Sequence, residues 1–391
     1  MQEETQHILQ LIEGIEGIEG IEGTEEAKRS ALHDTQVKLG ARFTEWNGYY
    51  VADHFGQPVE EYWAVRRRAG IIDMSALQKF DVLGSDAIRF LNRVLTRDVA
   101  RAGNGQALYS PICNARGGFI DDGIAFRIDE MQFMLVTGGG EQDEEWLREQ
   151  AKGLNVALVN VTDSRVDIAV QGPLSRAILQ RLTQLDLGEL EYYAFTSARL
   201  AGFDVLLSRT GYSGELGYEL FAPCERATEI WKAIAQTAEP GELTPYGFKA
   251  LDVLRIESAL VFCGYEMDAA NTPYDVGLGW TVDLDKESFI GKAALAWAKQ
   301  QGPRETLVGL EVEDVYFPES GAKLFRDGQK AGIVTSPTFS PLMEKVIALA
   351  RVKPEHTRPG TELQVEMGSR TRTAWVVRIP FYDPSKRRVI I

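Results

Sequence analysis

Two adjacent carboxylates within residues 114–126 have the clearest potential for chemistry in this sequence. The stretch combines a glycine pair that favours a tight turn with an apolar run of period-2 character that contains Asp121 and Asp122. If that run is a strand, the two carboxylates point to opposite faces. Asp122 then lies among large apolar side chains, whereas Asp121 lies beside Gly123 and Ala125, whose small size leaves room for a ligand. The alternative is an ordinary strand start with a solvated Asp pair.

A second group of polar residues lies at 211–219, where three glycines, two tyrosines and two glutamates occur in nine positions. This composition predicts a tight turn followed by a returning strand. Glu219 lies between Tyr218 and Leu220 inside that strand, so it needs hydrogen-bond donors if it is buried. The alternative is a turn with a purely structural role.

The remaining candidate residues argue against several other chemistries. The three cysteines and four histidines are scattered, without metal-ligand spacing, which disfavours a zinc site, a disulfide framework and a histidine-based triad. Three glycines at 138–140 lack the dinucleotide-binding spacing and predict a wide turn. On the predicted helix 248–260, Asp252, Arg255 and Glu257 most simply form ion pairs. A carboxylate enzyme without a metal is therefore expected.

Length and composition are those of an ordinary globular protein. The 391 residues are 44% hydrophobic and 25% charged, which suggests two or three domains with ample core. No apolar run approaches the ~18 to 20 residues that span a bilayer, and the first residues are acidic, so we expect no membrane segment, no secretory signal and a cytoplasmic location. The net charge of −15 disfavours a nucleic-acid partner.

The pattern along the chain predicts four regions. Residues 1–30 contain an Ile-Glu-Gly repeat at 12–23 and are expected to form a flexible acidic tail, with an interaction arm as the alternative. Strand and helix patterns alternate through 31–165 and restart in 166–302, which predicts two α+β lobes. In 303–391 short β-like runs are separated by glycine and proline, which indicates a separate all-β domain.

Together these stretches resemble the glycine cleavage system T protein family of tetrahydrofolate-dependent one-carbon transferases. The resemblance extends from about residue 32 to residue 380 and is carried by short motifs at 63–66, 70–75, 118–122, 170–173, 210–215, 254–257, 289–291, 334–336 and 340–341. Each motif is weak alone, but their order and spacing are specific. The family implies an α+β fold with three lobes arranged like a cloverleaf around a central folate channel: two α+β lobes and a C-terminal β-barrel-like domain.

The resemblance also implies the site residues. The first Asp of the Gly-Phe-Ile-Asp-Asp motif corresponds to the family's catalytic carboxylate, so Asp121 is the expected electrostatic and acid/base group. The family's pterin-binding pair corresponds to Tyr212 and Glu219, and a glutamate can accept two parallel N–H bonds from the aminopyrimidine edge of a pterin. Further residues expected to line the folate site are Trp280, Leu77 and Leu108.

Departures from the family pattern bear on the one-carbon donor. Ala76, Thr137 and Leu251 stand where the glycine cleavage protein typically has His, Asn and Arg. These differences favour a demethylase branch that moves a methyl group from a small-molecule donor to tetrahydrofolate. One alternative is the aminomethyltransferase itself, whose donor is an aminomethyl-dihydrolipoyl carrier protein. The other is a non-catalytic folate-binding module.

Overall fold

The computed structural model describes residues 27–140, 143–314 and 316–390. The acidic tail predicted for residues 1–30, with its Ile-Glu-Gly repeat, lies almost entirely outside the described residues. Within those ranges, no helix is both long enough and apolar enough to cross a membrane.

The described residues form twenty strands and nine α-helices. The strands are β1 (Lys28–Arg29), β2 (Arg42–Trp46), β3 (Tyr49–His54), β4 (Ala69–Asp73), β5 (Gln78–Leu83), β6 (Gln106–Cys113), β7 (Phe119–Arg127), β8 (Gln132–Thr137), β9 (Ala157–Asn160), β10 (Arg165–Gln171), β11 (Phe195–Leu200), β12 (Phe203–Ser208), β13 (Gly217–Pro223), β14 (Leu243–Pro245), β15 (Thr306–Val312), β16 (Lys323–Arg326), β17 (Gln329–Ser340), β18 (Lys345–Val352), β19 (Glu362–Met367) and β20 (Arg370–Val377). The helices are α1 (His33–Lys38), α2 (Pro58–Arg67), α3 (Ala87–Val94), α4 (Asp143–Ala151), α5 (Ser175–Gln180), α6 (Ala227–Thr237), α7 (Phe248–Glu257), α8 (Lys292–Gln301) and α9 (Arg387–Ile390).

Three sheets and a barrel are built from these strands. The three-stranded sheet has the order β1-β3-β2, the six-stranded sheet β11-β12-β13-β10-β4-β14, and the five-stranded sheet β6-β7-β8-β5-β9. The last six strands close into a barrel in the order β15-β18-β17-β16-β19-β20. The α+β fold with a C-terminal β-barrel, which the family resemblance implies, is confirmed.

Strand β4 joins early and late parts of the chain. It lies within the range predicted for the first lobe, yet it pairs antiparallel with β10 and parallel with β14. All five of its residues are buried, as expected for a central strand covered on both faces. The predicted lobe boundary at residue 165 divides the chain by sequence position. The six-stranded sheet contains strands from both sides of that boundary.

The five-stranded and six-stranded sheets pack face to face. The ring of Phe126 on β7 lies 5.3 Å from the ring of Phe195 and 5.4 Å from that of Phe221, which belong to the six-stranded sheet. Met134 and Val136 of β8 complete this buried cluster. We call the space between the two sheets, defined by these five side chains, the inter-sheet layer.

Helices cover the outer face of each sheet. Phe90 of α3 and Leu147 of α4 are fully buried in a cluster that includes Ala125 on the outer face of β7. Ile178 of α5 and Trp231 of α6 pack in the same way on the six-stranded sheet. Side chains that project from the two sheets therefore meet either a helix or the facing sheet, according to their parity along the strand.

A buried ion pair ties α2 to α7. The Nη2 atom of Arg66 lies 2.7 Å from Oε2 of Glu257, and both side chains are almost completely buried. Glu257 also accepts hydrogen bonds from the hydroxyls of Tyr62 at 2.8 Å and of Ser340, on barrel strand β17, at 2.5 Å. Arg66 additionally contacts Glu215 at 3.2 Å. One charge cluster thus connects two helices, the 211–219 turn and the barrel.

We expect Arg66→Met to lower the free energy of unfolding by about 3–5 kcal/mol, because it leaves Glu257 buried without its cation. Urea denaturation followed by tryptophan fluorescence measures this change. Arg67→Met is the matched control, since Arg67 is on the same helix but exposed, with its guanidinium over the Trp63 ring. Equal midpoints for the two variants would show that the cluster adds no net stability.

Candidate active site

The alternation along β7 separates the two adjacent carboxylates. Asp122 shares its face with Ile124 and Phe126, which pack in the inter-sheet layer. Asp121 shares its face with Ala125, which packs in the core beneath α3 and α4. The prediction that the two carboxylates point to opposite faces therefore agrees with the strand geometry. Asp122 lies on the face of β7 that is directed toward the inter-sheet layer.

Asp122 lies in an aromatic environment. The hydroxyl of Tyr109 on β6 donates a hydrogen bond to its Oδ2 at 2.7 Å. Burial and the nearby negative charge of Asp121 raise the pKa of Asp122 to about 7, although the Tyr109 hydrogen bond acts in the opposite direction. A carboxyl with a pKa near neutrality can both accept and release a proton under ordinary conditions.

Asp121 is enclosed on the helix side of the sheet. The backbone N–H of Gly139 donates to its Oδ2 at 3.2 Å, and a Cβ on Gly138 would lie 2.7 Å from its Oδ1. Burial, followed by a hydrogen bond with the Asp143 carboxyl at the start of α4, raises the pKa of Asp121 well above its usual value. Burial also raises the pKa of Asp143. Asp121 and Asp143 are therefore two buried carboxyls, each of which keeps its proton to higher pH than an exposed carboxyl.

Glu219 lies on β13, an inner strand of the six-stranded sheet. It lies opposite Ala169 of β10 and Ser208 of β12. The hydroxyl of Thr210 donates to its Oε2, and burial raises the pKa of its carboxyl. Among the described residues no other group donates to this side chain, so Oε1 is available to a ligand. The donors that the sequence required for a buried Glu219 are thus only partly supplied by the protein.

Tyr193 links the two acidic positions. Its pKa is raised well above the usual value, first by burial and then by the charges of Tyr192, Glu219 and Asp122. Its aromatic ring lies 4.7 Å from the ring of Tyr192. Tyr193 packs against the inter-sheet layer, to which the Asp122 face of β7 contributes Phe126 and the Glu219 face of β13 contributes Phe221.

The other residues predicted to bind folate occupy different surroundings. The hydroxyl of Tyr212 donates to the carbonyl of Val261 at 2.6 Å, so its orientation is fixed by the backbone. Leu77 packs against both the inter-sheet layer and the large core shared with the barrel. Trp280, 60% exposed, lies 6.4 Å from the ring of Tyr109. Leu77 and Trp280 therefore lie on the side of the sheet that carries Asp122, Leu77 at the inter-sheet layer and Trp280 beside Tyr109.

Leu108 lies on the other face. It is opposite Ala125 in the β6–β7 ladder and packs in the core beneath α3. The structure therefore brings it to the side of Asp121 and separates it from Tyr109, the residue that follows it in sequence. In the part of the chain that the structure describes, no group of three or more His, Cys, Asp or Glu side chains has metal-binding geometry.

Sequence reasoning missed two residues of this site, Tyr109 and Asp143. Tyr109 precedes the glycine turn on the neighbouring strand, and only the β6–β7 register, which places it opposite Ile124, reveals its contact with Asp122. Asp143 follows the three glycines 138–140, and this glycine run was the available sequence signal. In the structure Gly138 lies against Asp121 and Gly140 lies against Asp143.

Comparison with known proteins agrees with this architecture. The family model described as the GCVT N-terminal domain matches residues 32–286, and the glycine cleavage T-protein C-terminal barrel domain matches residues 306–383. The chain belongs to the glycine cleavage T-protein family. The members of this family are transferases, and the chain is an enzyme of that class.

Individual relatives of this T-protein family match almost the whole chain. An aminomethyltransferase from Desulforamulus reducens is 35% identical over 360 residues, which cover 91% of this chain and 98% of the relative. One from Thermotoga neapolitana is 36% identical over 363 residues, covering 92% and 99%. The crystal structure of glycine cleavage system aminomethyltransferase T from Bartonella henselae superposes with a TM-score of 0.84 at 30% identity, covering 90% and 98%.

The ionisation of Asp122 should appear in the pH dependence of stability. Its usual pKa is 3.8 and its folded pKa is about 7, so between these values the folded state holds a proton that the unfolded state releases. The free energy of unfolding therefore falls as the pH rises through this window. We expect Asp122→Asn to be more stable relative to wild type at pH 8 than at pH 5, by about 1–3 kcal/mol.

Thermal unfolding of both proteins at the two pH values measures this difference. Glu130→Gln is the control, because Glu130 is exposed at the turn after β7. A stability difference between Asp122→Asn and wild type that is independent of pH would contradict the raised pKa of Asp122.

Proposed function

We propose that this protein is a tetrahydrofolate-dependent aminomethyltransferase of the glycine cleavage type. The proposal is carried by the near full-length similarity to proteins named aminomethyltransferase, together with two acidic side chains, Asp122 and Glu219, on the strand faces that contribute to the inter-sheet layer. The one-carbon acceptor is tetrahydrofolate and the donor is an aminomethyl-dihydrolipoyl carrier protein. Transfer forms two carbon–nitrogen bonds to the folate and breaks two bonds of the donor carbon, the carbon–sulfur bond to the lipoyl arm and the carbon–nitrogen bond to the amine. The two protons lost from the folate nitrogens pass to the leaving groups, which are released as ammonia and the dihydrolipoyl thiol.

In this proposal Glu219 holds the pterin. Its Oε1 is available, Thr210 fixes Oε2, and the buried setting strengthens a hydrogen bond to an N–H donor. Tyr212, Leu77 and Trp280 are proposed to supply apolar and aromatic contact to the folate. The residues present thus fit a flat, nitrogen-rich ring system.

We propose that Asp122 is the acid/base group. Its support is its position on the inter-sheet side of β7, the hydrogen bond from Tyr109, and a pKa near neutrality. The assignment of Asp121 from the family motif stays a prediction. Against it stands the placement of Asp121 on the helix side of the sheet, where it lies against Gly138 and Gly139.

The demethylase that the sequence favoured receives less support than this alternative. Its basis is three departures, Ala76, Thr137 and Leu251, whereas the aminomethyltransferase similarity extends over nine-tenths of the chain. Leu251 is buried in the core shared with the barrel, and its uncharged side chain presents no cation to a one-carbon donor.

The assay is incubation of the purified protein with tetrahydrofolate and aminomethylated carrier protein. We expect methylenetetrahydrofolate and ammonia in equal amounts, measured by mass spectrometry and an ammonia assay. A parallel screen uses methylated small molecules as donors in place of the carrier. Methyltetrahydrofolate from that screen, with no product from the carrier, would reject the aminomethyltransferase in favour of the demethylase.

Two variants separate the roles of the adjacent carboxylates. We expect Asp122→Asn to lower kcat by about 10²- to 10⁴-fold, because it removes general acid/base catalysis while keeping the shape of the side chain. Asp121→Asn should keep kcat within about tenfold, since an amide can replace a protonated carboxyl beside Asp143. Tetrahydrofolate affinity, measured by calorimetry, should be retained in both. The reverse order of kcat losses would restore Asp121 as the catalytic residue.

A further inference from the structure

A second carboxyl lies close to Glu219 and takes no part in the assignments above. Asp167 of β10 is completely buried, and neither of its carboxylate oxygens has a hydrogen-bond partner among the described residues. Its backbone is satisfied, since the N–H donates to Oγ of Ser75 and the carbonyl accepts from Met74. The unmet hydrogen-bonding capacity is therefore confined to the side chain.

The strand register directs Asp167 to the face that carries Glu219. Asp167 is opposite Phe221, and Ala169 is opposite Glu219, in the antiparallel β10–β13 ladder. Alternate residues share a face, so Asp167 and Glu219 are diagonal neighbours at roughly 7–8 Å. The residue between them on this face, Ala169, is small.

The nearest cation does not satisfy Asp167. The ammonium of Lys79 is fully buried, but it donates to the carbonyls of Ser75 at 2.9 Å and of Leu77 at 2.6 Å. In the described ranges no ion pair joins it to Asp167. Burial, followed by the charge of Glu219, raises the pKa of Asp167 well above its usual value.

The hydroxyl of Tyr246 is the third unsatisfied group at this place. It is fully buried without a hydrogen-bond partner in the described residues, and its pKa is raised by burial and then by the charges of Glu219 and Asp167. A buried polar group without a partner destabilises the folded protein, because it loses its hydrogen bonds to water and gains none in return. Two such side chains next to a proposed ligand-binding glutamate are the arrangement expected of a site completed by its ligand.

We propose that Asp167 is a second pterin-contacting carboxyl, which binds the aminopyrimidine edge beside Glu219. This inference rests on the proposed tetrahydrofolate-dependent function. The edge of a pterin presents an exocyclic amine between two ring nitrogens, one with a hydrogen and one without. Glu219 accepts from the amine and the ring N–H. Asp167, as a protonated acid, accepts from the amine through its carbonyl oxygen and donates to the bare ring nitrogen.

The chemistry distinguishes two substitutions of Asp167. An amide offers the same acceptor and donor as a protonated carboxyl, so Asp167→Asn should bind folate within about threefold of wild type. Asp167→Leu offers neither, and its affinity should fall about 10- to 100-fold. Because leucine also removes an unsatisfied buried carboxyl, the thermal midpoint without ligand should not fall.

The experiment is calorimetric titration of the full chain with 5-formyltetrahydrofolate, a stable folate with the same aminopyrimidine edge. Asp81→Asn is the matched control, because Asp81 is a partly buried carboxylate paired with Arg165 at 2.6 Å, and its affinity should be unchanged. If Asp167→Leu does not fold, Asp167→Ala is titrated in its place. Wild-type affinity in the apolar variant would overturn the inference.

Glu219→Gln separates this inference from the proposed function. If wild type does not bind the folate, the proposed function fails and the inference fails with it. If Glu219→Gln weakens folate binding while Asp167→Leu does not, the proposed folate site at Glu219 is supported and the proposed contact with Asp167 is rejected. Loss of affinity in both variants, with rescue by Asp167→Asn, supports two carboxyls on one pterin edge.

Discussion

The face-to-face packing of the five-stranded and six-stranded sheets is the constraint on which the rest of the site depends. It places side chains such as Phe126 of β7 in the layer between the sheets, and side chains such as Ala125 of the same strand in the core under the helices. Polar groups placed in that layer lose their contact with water, and the surrounding packing prevents them from rotating back toward solvent. The raised pKa values of the carboxyls at the site follow from this burial, since a carboxyl surrounded by apolar and aromatic groups keeps its proton to higher pH.

Burial affects the acidic residues unequally because their neighbours differ. Asp122 has a tyrosine donor, Asp121 has another carboxyl, Glu219 has a threonine hydroxyl and Asp167 has no donor among the described residues. In our proposals the same functional group, a carboxyl, therefore acts as the acid/base group at Asp122 and as the ligand-binding group at Glu219 and Asp167. Differences in neighbours, rather than the presence of a carboxyl, distinguish these proposed roles.

Period-2 patterns and turn residues predicted the strands, the C-terminal all-β domain and the opposite orientation of Asp121 and Asp122, whereas the β-barrel was implied by the family resemblance. The sequence could not predict which of the two faces of β7 is directed toward the inter-sheet layer. Gly123 suggested space for a ligand, but a Cβ there would lie 2.7 Å from the Val136 carbonyl, so its small size allows a neighbouring strand to approach. Asp167 lies in an apolar run of the sequence. Its proximity to Glu219 depends on the register between β10 and β13, two strands that are far apart in the chain, and no local pattern encodes that register.

The position of β4 has a consequence for how the chain reaches this structure. The strand emerges near residue 70 but its partners lie at residues 165–171 and 243–245, so it must wait for most of the α+β region before it can pair. Long-range strand pairing of this kind slows folding and leaves apolar strand edges exposed in the meantime. During synthesis, the five-stranded sheet with its helices is complete by residue 160, and it is the part that can fold first. The acidic layer is assembled only when the second sheet closes over it.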